Sequence, residues 1–108
     1  NGEPTRDFVY VDDIVSATLL SIDNPKTDYK IYNVGTGQSM SVLEVTKKLK
    51  ELINPDCEIK ITDYHRAGDI IHAHGNIDKI NNELDWKPKV TLAKGLSNFA
   101  KWFKEQKI

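Results

Sequence analysis

The sequence predicts a small mixed α/β domain of three to four helices and short strands, and three observations predict it. Short β-branched runs alternate with amphipathic stretches at helical spacing. Glycine and proline signals separate these runs at intervals that suit such an alternation. The 108 residues, 39% hydrophobic and 29% charged, suffice for one soluble folded core and leave no room for two. Residues 1–108 therefore form one domain.

After an opening loop with Gly2 and Pro4, the run Phe8-Val9-Tyr10-Val11 has the β-branched and aromatic character of a strand. Asp12-Asp13 then offers an N-cap and negative charge to a helix start. Val15, Leu19 and Ile22 follow at i, i+4 and i+7, which turns one apolar face inward until Asn24-Pro25 stops the helix. Residues 30–34, Lys-Ile-Tyr-Asn-Val, read as a second strand, and Gly35-Thr36-Gly37 as a turn that needs positive φ angles. Ser41 and Glu44 have the spacing of a capping box, and Val42, Val45, Leu49, Leu52 and Ile53 repeat helically behind them until Asn54-Pro55. Residues 58–62 alternate with period two, as a half-buried strand should, and a polar loop over 63–69 follows. Asp78 caps a short helix through Leu84, which Pro88 separates from a last helix. Thr91 caps that helix, which carries Leu92, Leu96, Phe99 and Phe103 on one face. The longest apolar helices are expected to supply the core.

Charge and composition exclude several function classes. Fifteen Lys+Arg against sixteen Asp+Glu leave a net charge of -1, so no global field attracts nucleic acid or an anionic membrane. From Trp86 onward six lysines face one acid, Glu105, but Lys94, Lys101 and Lys104 lie opposite the apolar stripe, as on any solvated helix face. No apolar run approaches the roughly 20 residues that span a bilayer. The single cysteine, Cys57, cannot form an internal disulfide and has no recognisable base partner, so it reads as a buried small side chain in a reducing, cytoplasmic protein. The opening lacks both a signal-peptide pattern and an initiator Met, and the chain is expected to begin inside a longer one.

Two motifs that resemble sites are better read as structure. In Gly35-x-Gly37 the third glycine of a dinucleotide fingerprint would fall at Met40, and no acidic residue follows a second strand of a complete βαβ unit. His72 and His74 would share a strand face, but no third metal ligand has suitable spacing. Two arginines carry more chemistry. Guanidinium groups bind phosphates through forked, charge-assisted hydrogen bonds and stay charged on partial burial. Arg6 precedes the first strand, and Arg66 lies in His65-Arg66-Ala67-Gly68-Asp69, where Gly68 permits a tight turn and Asp69 can accept from a vicinal diol such as a ribose. Together these residues suit a nucleoside diphosphate, and they suit equally the surface ion pairs Arg6-Asp7 and Arg66-Asp69.

Four ordered motifs extend the reading: Thr5-Arg6-Asp7-Phe8-Val9-Tyr10-Val11-Asp12-Asp13-Ile14, Tyr32-Asn33-Val34-Gly35-Thr36-Gly37, Arg66-Ala67-Gly68-Asp69, and Leu84-Asp85-Trp86-Lys87-Pro88 with Leu92 and Gly95-Leu96. Their order resembles the C-terminal part of the NAD-dependent sugar-nucleotide epimerases and dehydratases, the extended short-chain dehydrogenase/reductases. Within these it is most similar to the UDP-glucose 4-epimerase branch. The resemblance implies that Arg6 and Arg66 contact the diphosphate of the substrate and Asp69 the nucleotide ribose. It implies that Asn33 and the Trp86-Lys87-Pro88 turn fix strand and helix junctions. NAD and the catalytic residues would belong to an N-terminal Rossmann domain, whose glycine-rich loop and Tyr-x-x-x-Lys pair this chain lacks. Four residues after Tyr10, Tyr29, Tyr32 and Tyr64 come Ile14, Asn33, Thr36 and Gly68, none of them lysine. No catalytic residue is therefore expected here, and the chain alone should not catalyse. The implied activity of the parent is oxidation of the sugar at C4 and return of hydride to the other face. The alternatives are a 4,6-dehydratase or another sugar epimerase of the family, or a standalone binding or assembly module. Surface that would meet the Rossmann domain should be apolar and exposed, so self-association is expected.

Overall fold

The computed structural model describes residues 4–106, so Gly2 of the opening loop lies outside them. Its backbone is organised around a very short strand, β1 (Thr5–Arg6), which pairs antiparallel with β2 (Met40–Ser41) in the register Thr5 to Ser41 and Arg6 to Met40. On its other edge β1 meets residues 71–73 in parallel, with the Thr5 amide donating to Ile71 at 2.9 Å and the Ala73 amide to Thr5 at 3.1 Å. The three segments come from distant parts of the chain, and β1 lies between the other two.

The helices are α1 (Val11–Ile22), α2 (Val42–Ile53), α3 (Asp78–Leu84) and α4 (Leu92–Glu105). The capping box at the start of α2 is complete: Ser41 Oγ accepts from the Glu44 amide at 3.1 Å, while a Glu44 carboxylate oxygen accepts from the Ser41 amide at 3.3 Å. Thr91 caps α4 through the Lys94 amide at 3.2 Å, and α2 packs against α4. Asn24 and Pro25 end α1 as expected, by opening a single 3-10 turn (Pro25–Thr27) whose first residue has its φ preset by the proline ring.

Elsewhere the fold corrects the sequence reading. Phe8-Val9-Tyr10 is not in a strand, and Val11 already belongs to α1, so the β-branched run is an extended lead-in to a helix. The N-cap of α1 is Tyr10, without a side-chain cap, and Asp12 and Asp13 lie in its first turn. Asp78 is likewise the first residue of α3, whose N-cap is Ile77. Among the described residues, 30–34 and 58–62 join no ladder, and Ile31 and Ile61 project from them into solvent. Asn33 is exposed, and Cys57 is exposed rather than buried.

The apolar stripe of α1 faces outward: Val11 is 61% exposed, Val15 48%, and Leu19 and Ile22 65% each. The side that packs inward is small and polar, with Ala17 and Asp13 buried. Small side chains there let α1 approach Trp86, and the core is accordingly Ala17, Ile80, Leu84 and Trp86, with Tyr32, Val34 and Ile77 packed against it. The expected stripe of α4 is only partly inside, since Phe99 and Phe103 stay about 40% exposed and the residues it buries are Gly95 and Ala100. The long helices thus contribute Ala17, Val45, Gly95 and Ala100 to the interior, while short α3 and Trp86 supply most of the bulk. A radius of gyration of 16.5 Å exceeds the roughly 13 Å of a compact domain of this length. Much apolar surface consequently remains uncovered by the chain itself.

Two polar anchors hold this thin core. The indole nitrogen of Trp86 donates to Ser16 Oγ at 2.9 Å, and the Asn81 amide nitrogen donates to the Trp86 carbonyl at 3.2 Å. The Asp13 carboxylate, 3% exposed, accepts from the Lys89 and Val90 amides at 2.9 and 3.0 Å. It ties the first turn of α1 to the strap that leads from Pro88 into α4, and in doing so satisfies a buried charge with backbone donors.

Candidate functional site: an arginine pair on one carboxylate

The polar loop over 63–69 is shaped by its own chemistry. The Asp69 amide donates to the Arg66 carbonyl at 3.2 Å, closing a turn in which Gly68 sits at φ +79°. This left-handed angle at the third position of a four-residue turn is where glycine is needed. The chain then runs directly into residues 71–73 beside β1, so Asp69 is delivered to the edge of Arg6.

Arg6 is fixed from below. Its Nη1 donates to the Thr5 carbonyl at 2.8 Å and the Ile71 carbonyl at 3.1 Å. Its Nη2 points to Asp69 Oδ1 at 3.8 Å, while Asp69 Oδ2 lies 4.0 Å from Arg66 Nη2. The side chains of Arg6, Asp69 and Arg66 are 35%, 45% and 82% exposed. The structure therefore brings Arg6, Arg66 and Asp69 into one cluster with a single carboxylate between two guanidinium groups. The ion pair Arg66-Asp69 is present, whereas Asp7 does not pair with Arg6. Both contacts exceed hydrogen-bond length and lie in high dielectric, so their contribution to folding is small. What they leave is two forked donors converging on one exposed point.

Asp7 has a different task, which the sequence reading missed. Its carboxylate accepts from the Thr36 hydroxyl, the Thr36 amide at 2.9 Å and the Gly37 amide at 2.9 Å. Burial alone would raise its pKa, but hydrogen bonds from the Thr36 side chain and from the Thr36, Gly37 and Gly75 amides outweigh it and hold the group below its ordinary 3.8. Gly37 takes φ +74°, as the turn reading requires, while Gly35 is needed for closeness rather than for φ. The Thr36 and Gly37 amides are the donors that a cofactor phosphate would need from this glycine pair. Asp7 fills them, and the turn leads into β2 rather than a helix, so the residues present do not fit a dinucleotide. No sequence signal links Asp7 to residues near position 36 except the glycine pair itself.

A second charged group lies on α3. Lys30 Nζ meets Glu83 Oε1 at 3.0 Å, Lys79 Nζ donates to the Ile31 carbonyl at 2.8 Å, and the same ammonium stands 5.0 Å from the Tyr32 ring centroid. The Tyr32 hydroxyl is buried with no hydrogen bond of good geometry among the described residues, and burial, followed by the Glu83 carboxylate beside it, raises its pKa. The Glu83 hydrogen bond raises Lys30 in turn. These contacts clamp residues 30–32 onto α3. Two clefts of about 270 and 290 Å³ share Phe8 and residues 90–92, and neither is lined by Arg6, Arg66 or Asp69. The arginine cluster is an open surface.

Residues 1–99 match the family model described as GDP-mannose 4,6 dehydratase. The UDP-glucuronate 4-epimerase 5 of Arabidopsis thaliana is 32% identical over 114 residues, covering 94% of this chain and 26% of its own length. The crystal structure of a UDP-glucose 4-epimerase from Thermotoga maritima, determined with UDP-glucose, superposes with a TM-score of 0.86 at 36% identity, covering 97% of this chain and 33% of that one. A dTDP-glucose 4,6-dehydratase from Bacillus anthracis, in complex with NAD, gives 0.75 at 27% identity, covering 97% of this chain and 33% of that one. The fold is thus that of a part of the extended short-chain epimerases and dehydratases, in which four helices surround very short strands. This chain belongs to the nucleotide-sugar epimerase/dehydratase family whose model is named for GDP-mannose 4,6 dehydratase. It spans about a quarter to a third of the length of these relatives.

Proposed function

We propose that this chain is the nucleotide-sugar-binding region of an NAD-dependent nucleotide-sugar 4-epimerase, with UDP-glucose as its substrate. The observation that carries the reading is the convergence of Arg6 Nη2 and Arg66 Nη2 on Asp69, at 3.8 and 4.0 Å. Arg6, immobilised by the Thr5 and Ile71 carbonyls, offers a fixed fork to one phosphate. Arg66, largely in solvent, closes over the other, and Asp69 accepts from the ribose hydroxyls. The solved Thermotoga maritima epimerase, determined with UDP-glucose, supports the choice of nucleotide and sugar.

NAD, bound by a Rossmann domain outside this chain, would supply oxidation at C4 and return of the hydride to the opposite face. The residues here bind and orient. Two features support a partner domain of that kind: the exposed Val11, Val15, Leu19 and Ile22 stripe of α1, and the extended residues 30–34 with no ladder partner among the described residues. When that domain is absent, the same stripe is where two copies associate. The exposed thiol of Cys57 suits a reducing, cytoplasmic setting, and among the described residues no helix is long and apolar enough to cross a membrane.

A second reading, a uronate epimerase or a 4,6-dehydratase, draws support from the Arabidopsis relative and from the dehydratase structure. Steady-state comparison of UDP-glucose, UDP-glucuronate and dTDP-glucose on the full-length protein separates them. The binding reading itself is tested by Arg66→Ala in that protein: UDP-sugar affinity should fall at least tenfold with NAD affinity unchanged. Equal loss of both, or of neither, overturns it.

A further inference from the structure

We infer that Asp69 is a selectivity element of the arginine site, occupying both guanidinium groups until a ligand with a vicinal diol beside its diphosphate replaces it. The inference rests on the reading of Arg6 and Arg66 as diphosphate anchors and adds a penalty that bare anions meet. Its basis is the way one carboxylate is divided. Oδ1 faces Arg6 at 3.8 Å and Oδ2 faces Arg66 at 4.0 Å, so each oxygen lies beside a different arginine without a hydrogen bond to it. The trio carries one net positive charge where two arginines alone would carry two.

The distances determine how the site exchanges partners. Neither contact is short enough to be a charge-assisted hydrogen bond, so a phosphate oxygen that reaches 2.7–2.9 Å from a guanidinium displaces the carboxylate. Arg6 is held by two backbone carbonyls and cannot follow Asp69, and the backbone of Asp69 is held by its turn bond to Arg66. After displacement the carboxylate therefore remains within side-chain reach of the entering anion. Pyrophosphate or phosphate leaves that like-charge contact uncompensated. A nucleoside diphosphate supplies two sugar hydroxyls, whose donors satisfy the freed oxygens. Asp69 thus rejects the simple anions that two bare arginines would capture.

Calorimetric titration of the full-length protein and of its Asp69→Asn variant with inorganic pyrophosphate, UDP and 2′,3′-dideoxy-UDP tests this. The wild-type protein should prefer UDP to both pyrophosphate and the dideoxy analogue. Asp69→Asn should tighten pyrophosphate binding about threefold to tenfold, the size that two surface ion pairs carry, with UDP changing less. Asp69 is 45% exposed and its turn bond is made by its backbone, so circular dichroism should show the variant folded. Pyrophosphate binding that is unchanged or weaker in Asp69→Asn overturns the inference, because Asp69 would then support the arginines rather than compete for them. The underlying diphosphate reading fails separately, and takes the inference with it, when Arg66→Ala leaves UDP and pyrophosphate binding unchanged or when nothing binds at millimolar ligand.

Discussion

A Cβ placed on Gly35 would lie 2.6 Å from Oδ2 of Asp7, closer than any real side chain tolerates. The two residues cannot coexist with a larger one at position 35 unless the carboxylate leaves the Thr36 and Gly37 amides. Gly35→Ala should therefore cost about 2–3 kcal/mol of unfolding free energy, the cost of stranding charge-assisted partners. Urea titration followed by tryptophan fluorescence checks it. A cost below half a kcal/mol would mean that the turn relaxes freely.

The same carboxylate sets an acid limit. Its folded pKa lies below its ordinary 3.8, so between those two values the unfolded chain binds the extra proton. The stabilisation from Asp7 is complete above the unfolded value and is lost as pH falls through the folded one. Asp7→Asn should flatten that portion of the acid-unfolding profile. An unchanged profile would move the acid sensitivity to another carboxylate.

Trp86 concentrates the core energy in one side chain. It is 4% exposed, so Trp86→Ala should remove about 3–5 kcal/mol, which in a domain this small unfolds much of the population. Ser16→Ala strands the indole donor and should cost about 1 kcal/mol. A double-mutant cycle between Ser16→Ala and Trp86→Phe should show coupling of that size.

The outward stripe of α1 predicts a contrast between stability and association. Leu19 is 65% exposed, so Leu19→Asp should change the unfolding midpoint little. Sedimentation velocity over a range of concentrations should show wild-type self-association that this variant reduces. Strictly monomeric wild-type chain would remove the expectation.

Legibility in the sequence followed the range of the forces. The capping box at Ser41, the cap at Thr91 and the Gly68 turn are decided within four residues, and each reads directly from the chain. Strand assignment failed where pairing decides: Thr5 and Arg6 are strand because residues near 40 and 72 flank them, whereas the more β-prone residues 30–34 and 58–62 found no partner. Periodicity located the apolar stripe of α1 but could not say which way it faces, since Ala17 and Asp13 give no hydrophobic signal. Arg66 and Asp69 could be paired from spacing, but Arg6 joins them only through the parallel contact of β1 with residues 71–73.

That contact has a kinetic consequence. The Thr5 hydroxyl meets His72 Nδ1 at 3.0 Å across 67 positions of the chain, so the sheet that seats Arg6 exists only after a long loop has closed. Helices α2 and α4 can nucleate from their own caps well before that closure. The arginine cluster should consequently assemble late during refolding and dissolve early on heating. Amide exchange at Thr5 and Ala73 should outpace exchange in the middle of α2.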